Sequence, residues 1–166
     1  LASRGLFNGK GKNLFAPDHS ITRAEVAASL VRSLYTDYSA KNNAGFVDIP
    51  EDAWYQEVIQ TAYELGLVKG IGNNRFAPDD LITREQLATL VYRLYRYKTG
   101  EDPVNEKMVA WLDQQEISAF ALEAVQFVTE TEIMIGNGGK FEPKRTATRQ
   151  EAAAVLFRFL EYIGEL

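Results

Sequence analysis

Phe15-Ala16-Pro17-Asp18, followed by Ile21-Thr22-Arg23-Ala24-Glu25, returns as Phe76-Ala77-Pro78-Asp79 and Ile82-Thr83-Arg84-Glu85-Gln86. It returns again as Phe141-Glu142-Pro143-Lys144 and Ala147-Thr148-Arg149-Gln150-Glu151. Thr22 to Thr83 is 61 residues and Thr83 to Thr148 is 65, while the step from phenylalanine to threonine is 7 each time. A spacing held while the surrounding residues change marks a tandem repeat, and the repeat fixes the architecture before any local element is assigned.

Working outward, Phe46-Val47-Asp48-Ile49-Pro50 and Trp54 precede the second copy, then a helical stretch closing at Gly66-Leu67-Val68-Lys69-Gly70. The third copy answers with Trp111-Leu112-Asp113, Phe120 and Glu132-Ile133-Met134-Ile135-Gly136. Before the first copy only Gly5-Leu6-Phe7-Asn8-Gly9 is found. The expected units are therefore 1–38, lacking its N-terminal half, 46–97 and 111–163, joined by polar connectors at 39–45 and 98–106.

Each complete unit reads as two helices. Val58, Ile59, Ala62 and Leu65 form one face of the first, closed by Gly66 in the position that favours a left-handed residue. The third unit has Ala124, Val125 and Val128 on that face, but Glu132 replaces the glycine and another stop is needed. The second helix starts at each Thr-Arg pair, with stripes such as Val26, Leu30, Val31 and Leu34. Gly70, Gly72 and Asn74 suit a tight turn better than a strand, so the chain is expected to be all-α.

Helix physics explains most of the Thr-Arg motif. Thr22 with Glu25, Thr83 with Gln86 and Thr148 with Glu151 have the spacing of reciprocal capping boxes. The arginines are different, because a cation at the first helical turn opposes the helix dipole by about 0.3 to 1 kcal/mol. Arg23, Arg84 and Arg149 keep that cost in every copy. Two readings stand: each pairs with a carboxylate of a neighbouring unit, or each meets an anionic ligand with its planar donor fork.

Composition narrows the function classes. A formal charge of −5 lacks the positive footprint of a nucleic-acid binder. With no cysteine and the single His19, neither a thiolate site nor a histidine cluster can form, so no metal or cofactor is expected. No apolar run approaches the roughly 18 residues of a membrane span. There is no phosphate loop, nucleophile elbow or zinc-protease motif. Asp48 and Asp113 recur in register with the repeat, which suits scaffold or repeated binding better than the differently tuned acids of a glycosidase. No catalytic residue is assigned.

The ordered set of Phe-x-Asp, an aromatic at the first helix, Gly-hydrophobic-hydrophobic-x-Gly, Phe-x-Pro and Thr-Arg-x-Glu resembles the S-layer homology domain, over nearly the whole chain. The resemblance implies three repeats packed about a pseudo-threefold axis around a helical-bundle core, with grooves between adjacent units. It implies non-covalent anchoring of a secreted surface protein to the bacterial cell wall or S-layer through secondary cell wall polysaccharide, often pyruvylated. The alternative is a helical-repeat module that holds a peptide.

On that resemblance Arg23, Arg84 and Arg149 would meet the anionic sugar, and Trp54, with Phe120 in its place in the third unit, would stack on a sugar face or pack its helix. Asp48 and Asp113 would accept sugar hydroxyls or hold a turn, and Gly70, Gly72 and Gly136 would admit the ligand to the backbone or serve the turn alone. Arg84, in the most regular repeat with Trp54, Gly70 and Gly72, is expected to matter most, with stability hardly changed on its loss; the site depending on the third unit is expected to be altered. The first helix of the first unit is missing, so the Val26, Leu30 and Leu34 side is expected to lose cover, leading to completion by residues upstream or to self-association.

Overall fold

In a computed structural model the described residues are 16–34, 40–104 and 109–166. The turn at residues 5–9, Phe15 and parts of both connectors lie outside them. Among the described residues five helices follow in order: α1 (Arg23–Ser33), α2 (Gln56–Glu64), α3 (Arg84–Thr99), α4 (Leu122–Glu130) and α5 (Arg149–Tyr162). Short 3-10 turns at Gln114–Glu116 and Ala119–Ala121 precede α4. The described residues form isolated β-bridges only, as an all-α fold requires.

All three capping boxes form. The hydroxyls of Thr22, Thr83 and Thr148 accept from the backbone N–H of Glu25, Gln86 and Glu151, whose side chains accept in return from the threonine N–H. Gly66 closes the first helix of the second unit at φ +73°, as its position implies. In the third unit Glu132 itself takes φ +58°, so the missing glycine is met by a strained residue rather than by a different stop.

The N-terminal ends of α1, α3 and α5 meet in a closed ring of backbone hydrogen bonds. Ile82 N–H donates to Ile21 C=O at 3.1 Å, Ala147 to Ile82 at 2.9 Å, and Ile21 to Ala147 at 3.0 Å. A second ring tightens the first: Arg23 N–H donates to Asp80 C=O, Arg84 to Arg145 and Arg149 to His19, at 2.8–3.0 Å. These orphan donors of the first helical turn are thus satisfied by a neighbouring unit. The result is the pseudo-threefold arrangement that the resemblance implies. Below the rings Leu30, Leu87, Val91, Val155 and Leu156 converge around a cavity of only about 10 Å³.

Packing between helices interlocks the units. α2 packs on α1, and α4 packs on α3, so each first helix covers the second helix of the preceding unit. The expectation of exposed apolar residues on α1 is therefore corrected for Val26 and Leu30, which are each 2% exposed and turned toward the axis, while Leu34 is half-buried against the core. Among the described elements no first helix packs along α5 as extensively as α2 does on α1; α5 meets α4 where the Tyr162 ring lies edge-on to Phe127 at 6.0 Å. Its Ala153, Ala154 and Phe157 are partly or well exposed, where α1 buries Ala27 and Ala28.

The candidate functional site

The motif arginines reach across unit boundaries. Arg84 donates from Nε to Phe141 C=O at 2.8 Å and from Nη2 to Ile135 C=O at 2.9 Å, both in the third unit. Its Nη1 pairs with Glu151 Oε1 at 3.0 Å. Arg23 repeats the first two contacts on the second unit, to Phe76 C=O at 2.8 Å and Lys69 C=O at 3.0 Å. Each guanidinium also lies over the ring of the phenylalanine whose carbonyl it holds, Arg23 over Phe76 at 4.6 Å and Arg84 over Phe141 at 5.0 Å. Arg149 Nη1 pairs with Glu25 Oε1 at 2.8 Å, which closes the cycle back to the first unit.

Of the two readings of the arginines, the ion pair with a neighbouring unit holds for Arg84 and Arg149, which are 5% and 2% exposed. It does not hold for Arg23, which forms no ion pair among the described residues and whose Nη1 has no partner there. The residue of the second unit that matches Glu151 and Glu25 is Gln86. The expected grouping of Arg84 with Gly70 is likewise corrected. Because an arginine reaches the next unit, Gly70 lies beside Arg23, while Arg84 meets the turn at Gly136.

An open groove of about 160 Å³ runs past Arg23, bounded by Lys69, Gly70, Gln86, Arg93 and Phe120. Three units build it: α1 supplies Arg23, the second unit supplies the turn and α3, and the third supplies Phe120 from its 3-10 turn. Phe120 is 61% exposed and Trp54 60%, so neither is the core aromatic that one reading allowed. Trp54 does not line this groove; its ring meets Tyr55 edge-on at 5.3 Å ahead of α2. Gly72 lies in the exposed tip of the turn at φ +103°. At Gly70 a Cβ would come within 2.8 Å of both Arg75 O and the Phe46 ring, so glycine is required there by close approach. Gly136 is crowded in the same way by Lys140 O and Trp111.

The aspartates hold turns. Asp48 accepts from the backbone N–H of Phe76 and Ala77 at 2.9 and 2.8 Å, and Asp113 from Phe141 and Glu142 at 2.9 and 2.7 Å. Those bonds fix Ala77 at φ +57° and Glu142 at φ +58°, a left-handed geometry that non-glycine residues resist. Burial pushes both carboxyls up, but the backbone donors outweigh it and hold both below the ordinary carboxylate value.

Two groove cations were passed over in the sequence. Arg93 faces the groove from α3, and its counterparts Arg32 and Arg158 follow their threonines by the same 10 residues, so the repeat itself carried the signal. Lys69 fills the variable position of the glycine turn, where the other copies have Asn8 and Ile135. Burial lowers the pKa of Arg23, against the pull of Asp80 and Asp48. Burial also lowers Arg93, and the positive charge of Arg23 lowers it further, so the two guanidinia sense each other. A partly desolvated pair of cations flanked by an exposed aromatic ring can take an anion carried on a ring-shaped ligand.

Among the described residues there is no group of three or more acidic, histidine or cysteine side chains placed to hold a metal ion. Among the same residues no helix is long and apolar enough to cross a membrane.

Comparison with known proteins agrees with this geometry. The S-layer homology domain model matches residues 1–27, 45–88 and 112–153. An endoglucanase of Bacillus sp. (strain KSM-635) is 38% identical over 96% of the chain, which covers 17% of that protein. The exoglucanase XynX of Acetivibrio thermocellus is 33% identical over 100% of the chain, covering 15% of that protein. The S-layer protein sap of Bacillus anthracis is 30% identical over 99% of the chain and 20% of its own length. Relatives named as enzymes and as S-layer proteins thus share this segment, which spans a fifth or less of each. The cyclic ring of repeats, the three motif copies and these matches place the chain in the S-layer homology domain family, a cell-surface anchoring module.

Proposed function

We propose that this chain holds a secreted protein at the bacterial cell wall by binding secondary cell wall polysaccharide, with an anionic, pyruvylated sugar seated in the groove between Arg23 and Arg93. The observation that carries this reading is the groove itself, where Arg23, Lys69 and Arg93 form no ion pair among the described residues and Phe120 stands exposed beside them. A carboxylate on the sugar would take the open Nη1 of Arg23, and the sugar face would lie against Phe120. A chain of net charge −5 needs such a local cationic site to attract an anionic polymer. The relatives support the same reading, because an anchoring segment is what S-layer proteins and glucanases can share while the rest of each chain differs. Asp48 and Asp113 each spend both oxygens on their own turn, which favours a scaffold role over catalysis.

The test is equilibrium binding of wall polysaccharide from the producing bacterium, native and after mild acid removal of ketal-linked pyruvate. Stripping the acid is expected to lower affinity about tenfold or more, the scale of one charge-assisted hydrogen bond. Equal binding of the two forms would contradict anion recognition, and binding of neither would contradict the anchoring role.

A further inference from the structure

Arg23 and Arg84 share one frame of carbonyl contacts, while the three motif arginines differ in their charge partners. In Arg84 the third guanidinium nitrogen, Nη1, is taken by Glu151 at 3.0 Å, and in Arg149 by Glu25 at 2.8 Å. Both carboxylates are the capping-box residues of the next unit in the cycle. In Arg23 the same nitrogen faces a unit whose capping-box residue is Gln86, and no partner for it is found among the described residues.

A second position differs in the same direction. The turn carbonyl that receives Nη2 belongs to the cation Lys69 in the Arg23 groove and to the apolar Ile135 beside Arg84. A third difference is Arg145, which accompanies Arg84 but is held by Glu142 at 3.1 Å and by Glu151. Extra positive charge there is already matched.

We infer that Gln86 is the specificity-determining residue of the module: by leaving Arg23 unneutralised it makes the Arg23–Arg93 groove the anion-binding site among the described residues, while Glu151 and Glu25 act as built-in carboxylates that occupy Arg84 and Arg149. This rests on the proposed polysaccharide-binding function and assigns it to the Arg23–Arg93 groove. A capping carboxylate and a ligand carboxylate compete for the same Nη1 donors, and a residual negative charge beside the groove repels an anionic sugar. Gln86 completes the capping box as glutamate does, since its side-chain oxygen accepts from Thr83 N–H at 3.0 Å, so the exchange keeps the hydrogen bonds of the helix start.

The repeat also supplies variants expected to fold. Gln86→Glu puts in the second unit what the first and third already carry, Glu151→Gln makes the reverse exchange, and Lys69→Ile copies the third unit. Binding of native wall polysaccharide fragments would be measured by calorimetry on the whole chain and these variants, with thermal melts as the folding check. Gln86→Glu is expected to weaken binding about tenfold or more, Lys69→Ile severalfold, and Glu151→Gln not at all. Unchanged affinity in Gln86→Glu, or an equal loss in Glu151→Gln, would overturn the assignment while leaving the anchoring role intact. Should Gln86→Glu fail to fold, unchanged affinity in folded Lys69→Ile would overturn it. No binding by the unmodified chain would remove the proposed function itself, and the assignment with it.

Discussion

At the scale of single residues, charge decides what each repeated side chain does. Asp113 is 4% exposed and its oxygens hold the N–H groups of Phe141 and Glu142, so its negative charge keeps a left-handed residue in place just before a proline. Its pKa lies below the ordinary carboxylate value, which sets the sign of the pH dependence. The stabilisation is present above the unfolded-state pKa of about 3.9 and is lost as pH falls through the lower folded value. Asp113→Asn is expected to cost about 2 to 3 kcal/mol at neutral pH, because one backbone N–H then faces an amide donor. Urea unfolding as a function of pH checks this: the variant should lose part of the acid-dependent fall in stability, and an unchanged profile would count against the assignment. The Phe-x-Asp spacing was legible in the sequence, but not that its partners lie 28 and 29 residues on, since only the folded turn brings them together. Arg84 was misplaced for a related reason: its contacts lie 51 to 67 residues away in the next unit.

At the scale of elements, local signals were read correctly wherever the chemistry was local. The three capping boxes and Gly66 needed only neighbours within a few residues, and all four are in place. Interlocking of the helices was not legible, because an apolar face says that it is covered and not by which helix. Glu85 illustrates the limit. Its counterparts are Ala24 and Gln150, yet it is 3% exposed and accepts from Ser118 N–H at 2.9 Å and from Lys144 at 2.6 Å, tying α3 to the entry of the third unit. The end of α4 offers a direct test of element-level reasoning. Glu132 carries φ +58° where the second unit has glycine, so Glu132→Gly is expected to raise stability by about 1 kcal/mol. Chemical denaturation would show it as a higher midpoint at constant slope; a lower midpoint would mean that the Glu132 side chain holds α4 by a contact worth more than the strain.

At the scale of the whole molecule, the fold follows from the insufficiency of a single repeat. A two-helix unit of about 60 residues buries too little surface to stand alone, and here the units complete one another through three devices: the backbone rings, the covering first helices α2 and α4, and the reaching arginines. Such a cycle tolerates unequal copies, since the ring contacts are made by backbone atoms and do not depend on what the groove residues are. The grooves are therefore free to diverge in charge, and that divergence, not the repeat, sets where an anion can bind. The most direct measurement is an NMR titration of the isotope-labelled chain with native wall polysaccharide fragments, following the Nε–Hε signals of the arginines. The signals of Arg23 and Arg93 are expected to move together while those of Arg84 and Arg149 stay in place. Movement of Arg84 or Arg149 with Arg23 unchanged would contradict the account.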